Sequence, residues 1–196
     1  MARKTAEETE QTRLKLIESG ARMFARYGYA YSTLDDIAQC AGLSRGAVYW
    51  HFKGKGELLQ LILGASSLPL EDFIAPGTAL AQGFEQLGRA LVETLSVGRY
   101  RDLFTILLKE GDTESGQCPV VARWQLVQDN LQEQFKRLLV VDSQSGKQTN
   151  AQAQVMRLAV TGLLFESLFS QQSAESLAHG LVCTLLERTT VAAPQY

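Results

Sequence analysis

The sequence predicts an all-α protein with about nine helices. Apolar side chains recur at intervals of three and four residues along most of the chain, which is the period of an amphipathic helix. Only four of the 196 residues are proline, and the alternating pattern of a half-buried strand is nearly absent. The length allows one large domain, or a small domain joined to a larger one.

Cap and turn residues define the first three helices. The first covers about 8–27 and ends before Gly28, which can take the left-handed conformation just beyond a helix. Thr33, or the serine before it, is a suitable N-cap for the second helix, and Ser44 for a short third helix that ends near Phe52. The inward side of the first helix is predicted to carry five residues: Leu14, Ile17, Ala21, Phe24 and Ala25.

The remaining helices follow a connector. A fourth helix is predicted over about 57–67, and Pro69, Pro76 and Gly77 then interrupt the helical pattern. Polar breaks separate the rest of the chain into five longer stretches of helical spacing. These five helices are predicted at about 78–97, 100–110, 118–140, 149–171 and 174–190.

Composition excludes several classes of protein. No apolar run approaches the ~20 residues of a membrane span, and the charged N-terminus is not a signal peptide. Cys40, Cys118 and Cys183 have neither a disulfide nor a metal-ligand spacing, so we expect reduced thiols packed as small apolar groups in a cytoplasmic protein. A redox-sensing Cys40 is the alternative. No catalytic triad order, phosphate loop or metal cluster occurs, so the sequence predicts no enzyme, cofactor or metal site.

Charge is distributed unevenly along the chain. Residues 1–60 carry nine Lys and Arg against seven Asp and Glu, whereas residues 61–196 carry ten against fourteen. A mildly basic beginning joined to an acidic remainder fits a module that binds a polyanion, attached to a part with another task.

The second and third helices have the spacing of a helix-turn-helix motif. Counted from Leu34, the fifth residue is Ala38, where the two helices cross and only a small side chain fits. The ninth is Gly42, where the turn needs a left-handed backbone. Apolar residues occupy the positions that the motif buries: Ile37, Ala41, Leu43 and Val48.

The outward face of the third helix predicts binding to DNA. Val48 and Phe52 should point inward, whereas Arg45 and Tyr49, also four residues apart, should point outward. Arg45 is placed to reach a guanine edge in the major groove, and Tyr49 to contact a phosphate, a sugar or a thymine methyl group. Gly46 lets the backbone come close to the duplex.

Other residues of this region are candidates for phosphate contacts. Thr33, Ser44, His51 and Lys55 lie at the rim of the same face. Trp50 either contacts DNA or packs against the protein, and His51 could instead bond to a backbone carbonyl. Arg3 and Lys4, in the polar N-terminal tail, could add contacts to the backbone or the minor groove. Lys53 is better explained as a solvated charge in a turn.

These residues resemble the TetR family of transcriptional regulators. The similarity is densest in "TLDDIAQCAGLSRGAVYWHFKGKGELL", from Thr33 to Leu59, and extends back through "TRLKLIESGARMFARYGY". The opening "MARKTAEETEQTR" and the core "RGAVYWHF" are particularly similar to AcrR-type repressors of multidrug efflux operons. One departure is the pair Gly54 and Gly56, which we expect to loosen the junction before the fourth helix.

The resemblance implies a division of labour along the chain. Residues 1–55 would form the DNA-binding domain, and residues 56–196 a ligand-binding and dimerisation domain. The protein would bind a palindromic operator as a dimer and be released by a lipophilic or cationic small molecule. A ligand-independent regulator, an activator, or a small-molecule-binding protein with a vestigial head are the alternatives. By the resemblance, the DNA-contacting positions are Thr33, Ser44, Arg45, Gly46, Tyr49, His51 and Lys55.

Small residues on the last two helices predict a dimer interface, because they let helices of two copies approach closely. An intrachain helical hairpin is the alternative. The predicted interface residues are Ala159, Gly162, Leu163, Leu177 and Leu181.

The ligand pocket is predicted from apolar stripes on several helices, where a cavity with few polar groups would suit a lipophilic compound. The same stripes could simply be core. Glu110 and Glu166 are candidate anions for a cationic ligand, although Glu166 could instead face the partner or solvent. The residues predicted to bind ligand are Phe104, Leu107, Trp124 and Glu166.

Overall fold

The computed structural model describes residues 6–109, 118–140, 146–170 and 172–191. Within these ranges the chain forms nine α-helices and a single-turn 3₁₀ helix at Pro69–Glu71, with no strand, which confirms the all-α prediction. The helices are α1 (Ala6–Tyr27), α2 (Leu34–Cys40), α3 (Arg45–His51), α4 (Lys55–Gly64), α5 (Leu80–Ser96), α6 (Gly98–Lys109), α7 (Pro119–Val140), α8 (Gly146–Ser167) and α9 (Ala174–Val191).

The chain forms two compact units. The first comprises Met1–Ser67 together with Arg101–Arg123, and the second comprises Leu68–Tyr100 together with Trp124–Tyr196. The first unit therefore contains α4, most of α6 and the start of α7 in addition to α1, α2 and α3. These compact units differ from the two domains predicted from the sequence, which divide between residues 55 and 56. The predicted division concerns function and stays a prediction.

The first unit is organised around α1, which packs against both α2 and α4. Gly20 allows the close approach of α1 to α4, because a Cβ atom at this position would lie 2.8 Å from Leu58 Cδ2. The fully buried side chains of this core include Leu16, Phe24, Ile37, Val48, Phe52 and Leu58.

The predicted inward stripe of α1 is wrong in part. Leu14 is 49% exposed, whereas Leu16 is completely buried. Two polar residues, Thr12 and Ser19, are also buried on the inward face, where the Thr12 hydroxyl donates to the carbonyl of Glu8 at 2.7 Å. Because these small polar residues satisfy their hydroxyls within the helix or with a neighbour, the buried face does not coincide with the most apolar stripe.

The second unit joins α5 to α8, to α9 and to the 3₁₀ helix. Gly83 on α5 faces α7, and a Cβ atom there would lie 2.3 Å from Leu138 Cδ1. The buried amide of Gln134 on α7 holds the connector: its Oε1 accepts from the backbone N–H groups of Phe73 and Ile74 at 2.6 and 3.2 Å, and its Nε2 donates to the carbonyl of Leu70 at 3.0 Å. The predicted break at 69–77 thus includes the 3₁₀ helix and is joined to α7 through Gln134.

None of the three cysteines forms a disulfide, and their positions differ in exposure. Cys118 and Cys183 are half-buried, but Cys40 at the end of α2 is exposed, so the expectation that all three pack as apolar groups is wrong for Cys40. Among the described residues, no group of three or more potential metal ligands comes together, and no helix is both long and apolar enough to span a bilayer.

Candidate nucleic-acid interface

The turn between α2 and α3 has the geometry that the sequence predicts. Gly42 has a φ of +68°, and its N–H donates to the carbonyl of Gln39 at 3.0 Å. The N–H of Leu43 donates to the carbonyl of Ala38 at 2.9 Å, which closes the end of α2. A Cβ atom at Gly42 would meet nothing within 4 Å, so the backbone conformation, not space, is the reason for glycine here.

Polar caps determine where α2 and α3 begin. Thr33 and Asp36 form a reciprocal capping box: the N–H of Asp36 donates to Thr33 Oγ1 at 3.1 Å, and the N–H of Thr33 donates to Asp36 Oδ2 at 3.1 Å. Ser44 Oγ accepts from the N–H of Ala47 at 3.3 Å and caps α3. Both hydroxyls are exposed at the predicted interface, but each already serves its own helix.

The two faces of α3 divide as predicted. Val48 and Phe52 are 0% and 1% exposed, whereas Tyr49 is 50% exposed and the Arg45 side chain 72%. Trp50 is 71% exposed, and its ring meets the half-buried His51 ring edge-on with centroids 4.6 Å apart. Exposed aromatic and cationic side chains on the outer face of a folded helix-turn-helix are what contact with DNA requires.

Arg45 has two neighbours that hold its guanidinium group. Its Nε lies 3.3 Å from Asp35 Oδ1 on α2, and its Cζ lies 5.5 Å from the centre of the Tyr49 ring. Sequence reasoning missed this pair. The signal that could have found it is the motif itself, because it brings the first turn of α2 close to the start of α3.

Lys55 is bound to the protein more tightly than a rim lysine. Its Nζ donates to the carbonyls of Tyr29 and Ala30 at 2.6 and 3.3 Å and lies 4.5 Å from the centre of the Tyr29 ring. At most one of the three ammonium hydrogens is left for a phosphate. Lys55 also begins α4, about two residues earlier than predicted, so the junction that contains Gly54 and Gly56 is anchored to the loop after α1.

Two further cations bind helix ends in the first unit. Lys109 Nζ, at the end of α6, donates to the carbonyl of Ala25 near the end of α1 at 2.9 Å. Arg123 on α7 donates from Nε to the carbonyl of Leu63 at 3.0 Å and from Nη2 to that of Ser66 at 3.3 Å, at the end of α4. Positive groups are favourable at helix C-termini, where carbonyls lack partners. Sequence reasoning missed both, because nothing local marks them.

Asp102 on α6 has a shifted pKa. Burial raises the pKa of Asp102, and the guanidinium groups of Arg101 and Arg22 oppose part of that rise.

An exposed apolar stripe runs along α8 and continues past its end to Phe169 in the following turn. Phe165 and Phe169 have ring centroids 5.2 Å apart, and the predicted interface residue Gly162 lies in the same stripe. The other predicted residues, Ala159 and Leu163 on α8 and Leu177 and Leu181 on α9, are half-buried. Sequence reasoning missed the large members of the stripe and their exposed fractions: Val155 (64%), Leu158 (53%), Phe165 (53%) and Phe169 (71%).

The residues predicted to bind ligand have different environments. Phe104 and Leu107 are buried in the first unit, at 0% and 2% exposure, whereas Trp124 in the second unit is half-buried. Glu166 in the second unit is exposed beside Phe165, which agrees with the alternative that it faces solvent or a partner. Their role in ligand binding stays a prediction. Arg3, Lys4 and Glu110 lie outside the described residues.

Comparison with known proteins relates this geometry to regulators of transcription. Residues 16–62 match the family model described as bacterial regulatory proteins of the tetR family. The HTH-type transcriptional regulator SrpR of Pseudomonas putida is 32% identical over 183 residues, which cover 87% of this chain and 82% of that protein. The HTH-type transcriptional regulator AcrR of Shigella flexneri is 29% identical, with 95% and 93% covered.

Solved structures show the same fold. The complex of SmeT with triclosan aligns with a TM-score of 0.71 at 21% identity and covers 91% of each chain. SmeT is the repressor of the multidrug efflux pump SmeDEF of Stenotrophomonas maltophilia.

Proposed function

Because the chain belongs to the tetR family of bacterial regulatory proteins, we propose that it is a dimeric repressor of a multidrug efflux operon. It binds a palindromic operator and is released by a lipophilic or cationic small molecule. The observation that carries the proposal is the outward pair Arg45 and Tyr49 on a correctly capped helix-turn-helix.

The DNA-binding part of the proposal follows from the two faces of α3. The inward residues Val48 and Phe52 fix the rotation of the helix, and the outward residues then face a major groove. Arg45 presents hydrogen-bond donors to guanine, and Tyr49 presents a hydroxyl and an apolar ring edge. Lys55 has a smaller part in this proposal than the resemblance implies, because most of its donors are used inside the protein.

The proposed dimer is supported by the exposed stripe of α8 and the turn after it. Its residues Val155, Leu158, Gly162, Phe165 and Phe169 are spaced alternately by three and four, which is the spacing of a helix seam that packs against another helix. A second copy of α8 and α9 would bury these side chains across a two-fold axis. A two-fold symmetric dimer suits a palindromic operator, whose half-sites lie about 34 Å apart along the DNA.

Release by a ligand would act through the cations at the helix ends. Lys109 connects α6 to α1, and Arg123 connects the start of α7 to α4. A shift of α6 would therefore act on α1, which packs against α2 of the motif. Binding of ligand and binding of operator then weaken each other reciprocally, typically by ~1–3 kcal/mol. The fold shared with SmeT, whose complex contains the lipophilic compound triclosan, supports this class of effector.

The test measures binding to the DNA upstream of the encoding locus by fluorescence anisotropy. Wild type should prefer this DNA to a scrambled duplex of equal length, and Arg45→Ala should lose the preference. Lys53→Ala is the matched control, because Lys53 is an exposed cation beyond the end of α3. It should keep the preference and weaken binding to both duplexes alike.

The same measurement tests release. Saturating triclosan should weaken binding to the upstream DNA if this compound is an effector, and unchanged affinity rejects it. Wild-type protein that binds both duplexes equally would refute the proposed function, and a preference retained by Arg45→Ala would refute the role of Arg45.

A further inference from the structure

Two adjacent acids at the start of α2 have different contacts. Asp36 caps its own helix through Thr33. Asp35 instead extends to α3, where its Oδ1 lies 3.3 Å from Arg45 Nε. This oxygen is shielded from solvent and accepts no hydrogen bond from the described residues, so its contact with Arg45 is one of charge. The Asp35 side chain as a whole is 44% exposed, so this is a partly solvated ion pair that orients Arg45 and not a buried ion pair.

The guanidinium group of Arg45 is therefore held on two sides. Asp35 lies beside Nε, and Cζ lies over the Tyr49 ring, 5.5 Å from its centre. The side chain is nevertheless 72% exposed, so the end that carries the two terminal nitrogens remains open to solvent. A two-pronged contact with guanine O6 and N7 needs two N–H groups of one edge, held in the plane of the base.

We propose that Asp35 is a specificity-determining residue of the DNA interface, which acts by positioning Arg45. It holds the Nε edge, so the terminal nitrogens of Arg45 make the guanine contact. Exclusion of water at the interface would strengthen the attraction between the two charges, which favours the pair in the complex. The inference rests on the proposed function, since it assumes that Arg45 reads a base.

The sign of the Asp35 charge adds to this effect. A carboxylate beside the duplex repels the phosphates of every sequence equally, which weakens binding to all DNA. The pre-positioned arginine strengthens binding only where guanine occupies the right position. Asp35 thus lowers the affinity for all DNA but raises the ratio of the affinity for operator to the affinity for other DNA. This is how a repulsive group contributes to specificity.

The test compares Asp35→Asn with Asp36→Asn. Each removes one negative charge from the first turn of α2 with almost no change in shape, but only Asp35 contacts Arg45. Binding is measured to the operator, to the operator with the guanine read by Arg45 replaced by adenine, and to a scrambled duplex. Circular dichroism confirms that both variants remain folded.

Asp35→Asn should bind the scrambled duplex more tightly than wild type and lose about five- to tenfold of the discrimination between guanine and adenine. Asp36→Asn should also bind the scrambled duplex more tightly, but keep the wild-type discrimination. Asp35→Asn in an Arg45→Ala background should change no discrimination, because the residue that it positions is gone.

Wild-type discrimination in Asp35→Asn, or an equal loss in Asp36→Asn, would overturn the inference. Either result would leave the proposed function intact, provided that wild type still prefers the operator to the scrambled duplex. Loss of that wild-type preference would instead refute the proposed function.

Discussion

Replacing Gly42 tests how much the left-handed backbone of the helix-turn-helix matters for stability, without a change in side-chain packing. The residue has a φ of +68°, a conformation that costs an L-residue ~1–2 kcal/mol. A Cβ atom there would meet nothing within 4 Å, so no steric clash or new contact adds to this cost. Gly42→Ala should therefore lower the free energy of unfolding of the first unit by about 1–2 kcal/mol.

Gly64→Ala provides the control, because a Cβ atom at this position in α4 also meets nothing within 4 Å. Gly64 is helical and has no positive φ, so alanine should stabilise the protein by ~0.4–1 kcal/mol. Gly42→Asn should cost less than Gly42→Ala, since asparagine tolerates the left-handed region better.

The assay is urea denaturation followed by circular dichroism, at one protein concentration because the proposed dimer would couple stability to concentration. The urea midpoint should be highest for Gly64→Ala, followed by wild type, Gly42→Asn and Gly42→Ala. If Gly42→Ala unfolds at the same urea concentration as wild type, the argument from the left-handed turn fails.

Three further predictions concern other parts of the chain. Gly83→Ala should destabilise the protein by ~1–3 kcal/mol in urea denaturation, because its Cβ would lie 2.3 Å from Leu138 Cδ1. Combined with Leu138→Ala, it should cost less than the sum of the two single changes, because the shortened side chain no longer meets the new Cβ. Phe165→Asp should raise the dimer dissociation constant at least about tenfold in analytical ultracentrifugation, whereas Leu126→Asp, equally exposed on α7, should not. Burial raises the pKa of Asp102, so the folded protein loses stability as the pH rises through this pKa and the carboxyl ionises. Asp102→Asn should therefore increase the urea midpoint near neutral pH. The gain should shrink as the pH falls toward the ordinary Asp pKa of ~4. A gain independent of pH would contradict this explanation.

Local signals predict the helix-turn-helix well. Thr33, Gly42 and Ser44 act on residues within a few positions of themselves, so their structural roles follow from the sequence. The spacing of Val48 and Arg45 then determines which face of α3 points outward. The contact between Asp35 and Arg45 spans ten residues and depends on the angle between two helices, which single-helix spacing does not reveal.

Long-range packing limits what the rest of the sequence predicts. The inward face of α1 includes Thr12 and Ser19, which a search for apolar residues passes over. Phe104 is apolar and at helical spacing whether it fills a core or lines a cavity, so its chemistry cannot distinguish the two. The exposed stripe of α8 is apolar like the core, and only the placement of the other helices shows that Phe165 is left uncovered.

The composition of the first unit has a consequence for engineered hybrids of such regulators. A chimera cut once after residue 67 would leave behind the donors at Lys109 and Arg123, and the carbonyls of Ala25, Leu63 and Ser66 would lose their partners. A transplant that carries residues 101–123 along with 1–67 keeps these bonds. The natural module for exchange is therefore discontinuous in the sequence, and recombination at two sites should yield better-folded hybrids than recombination at one.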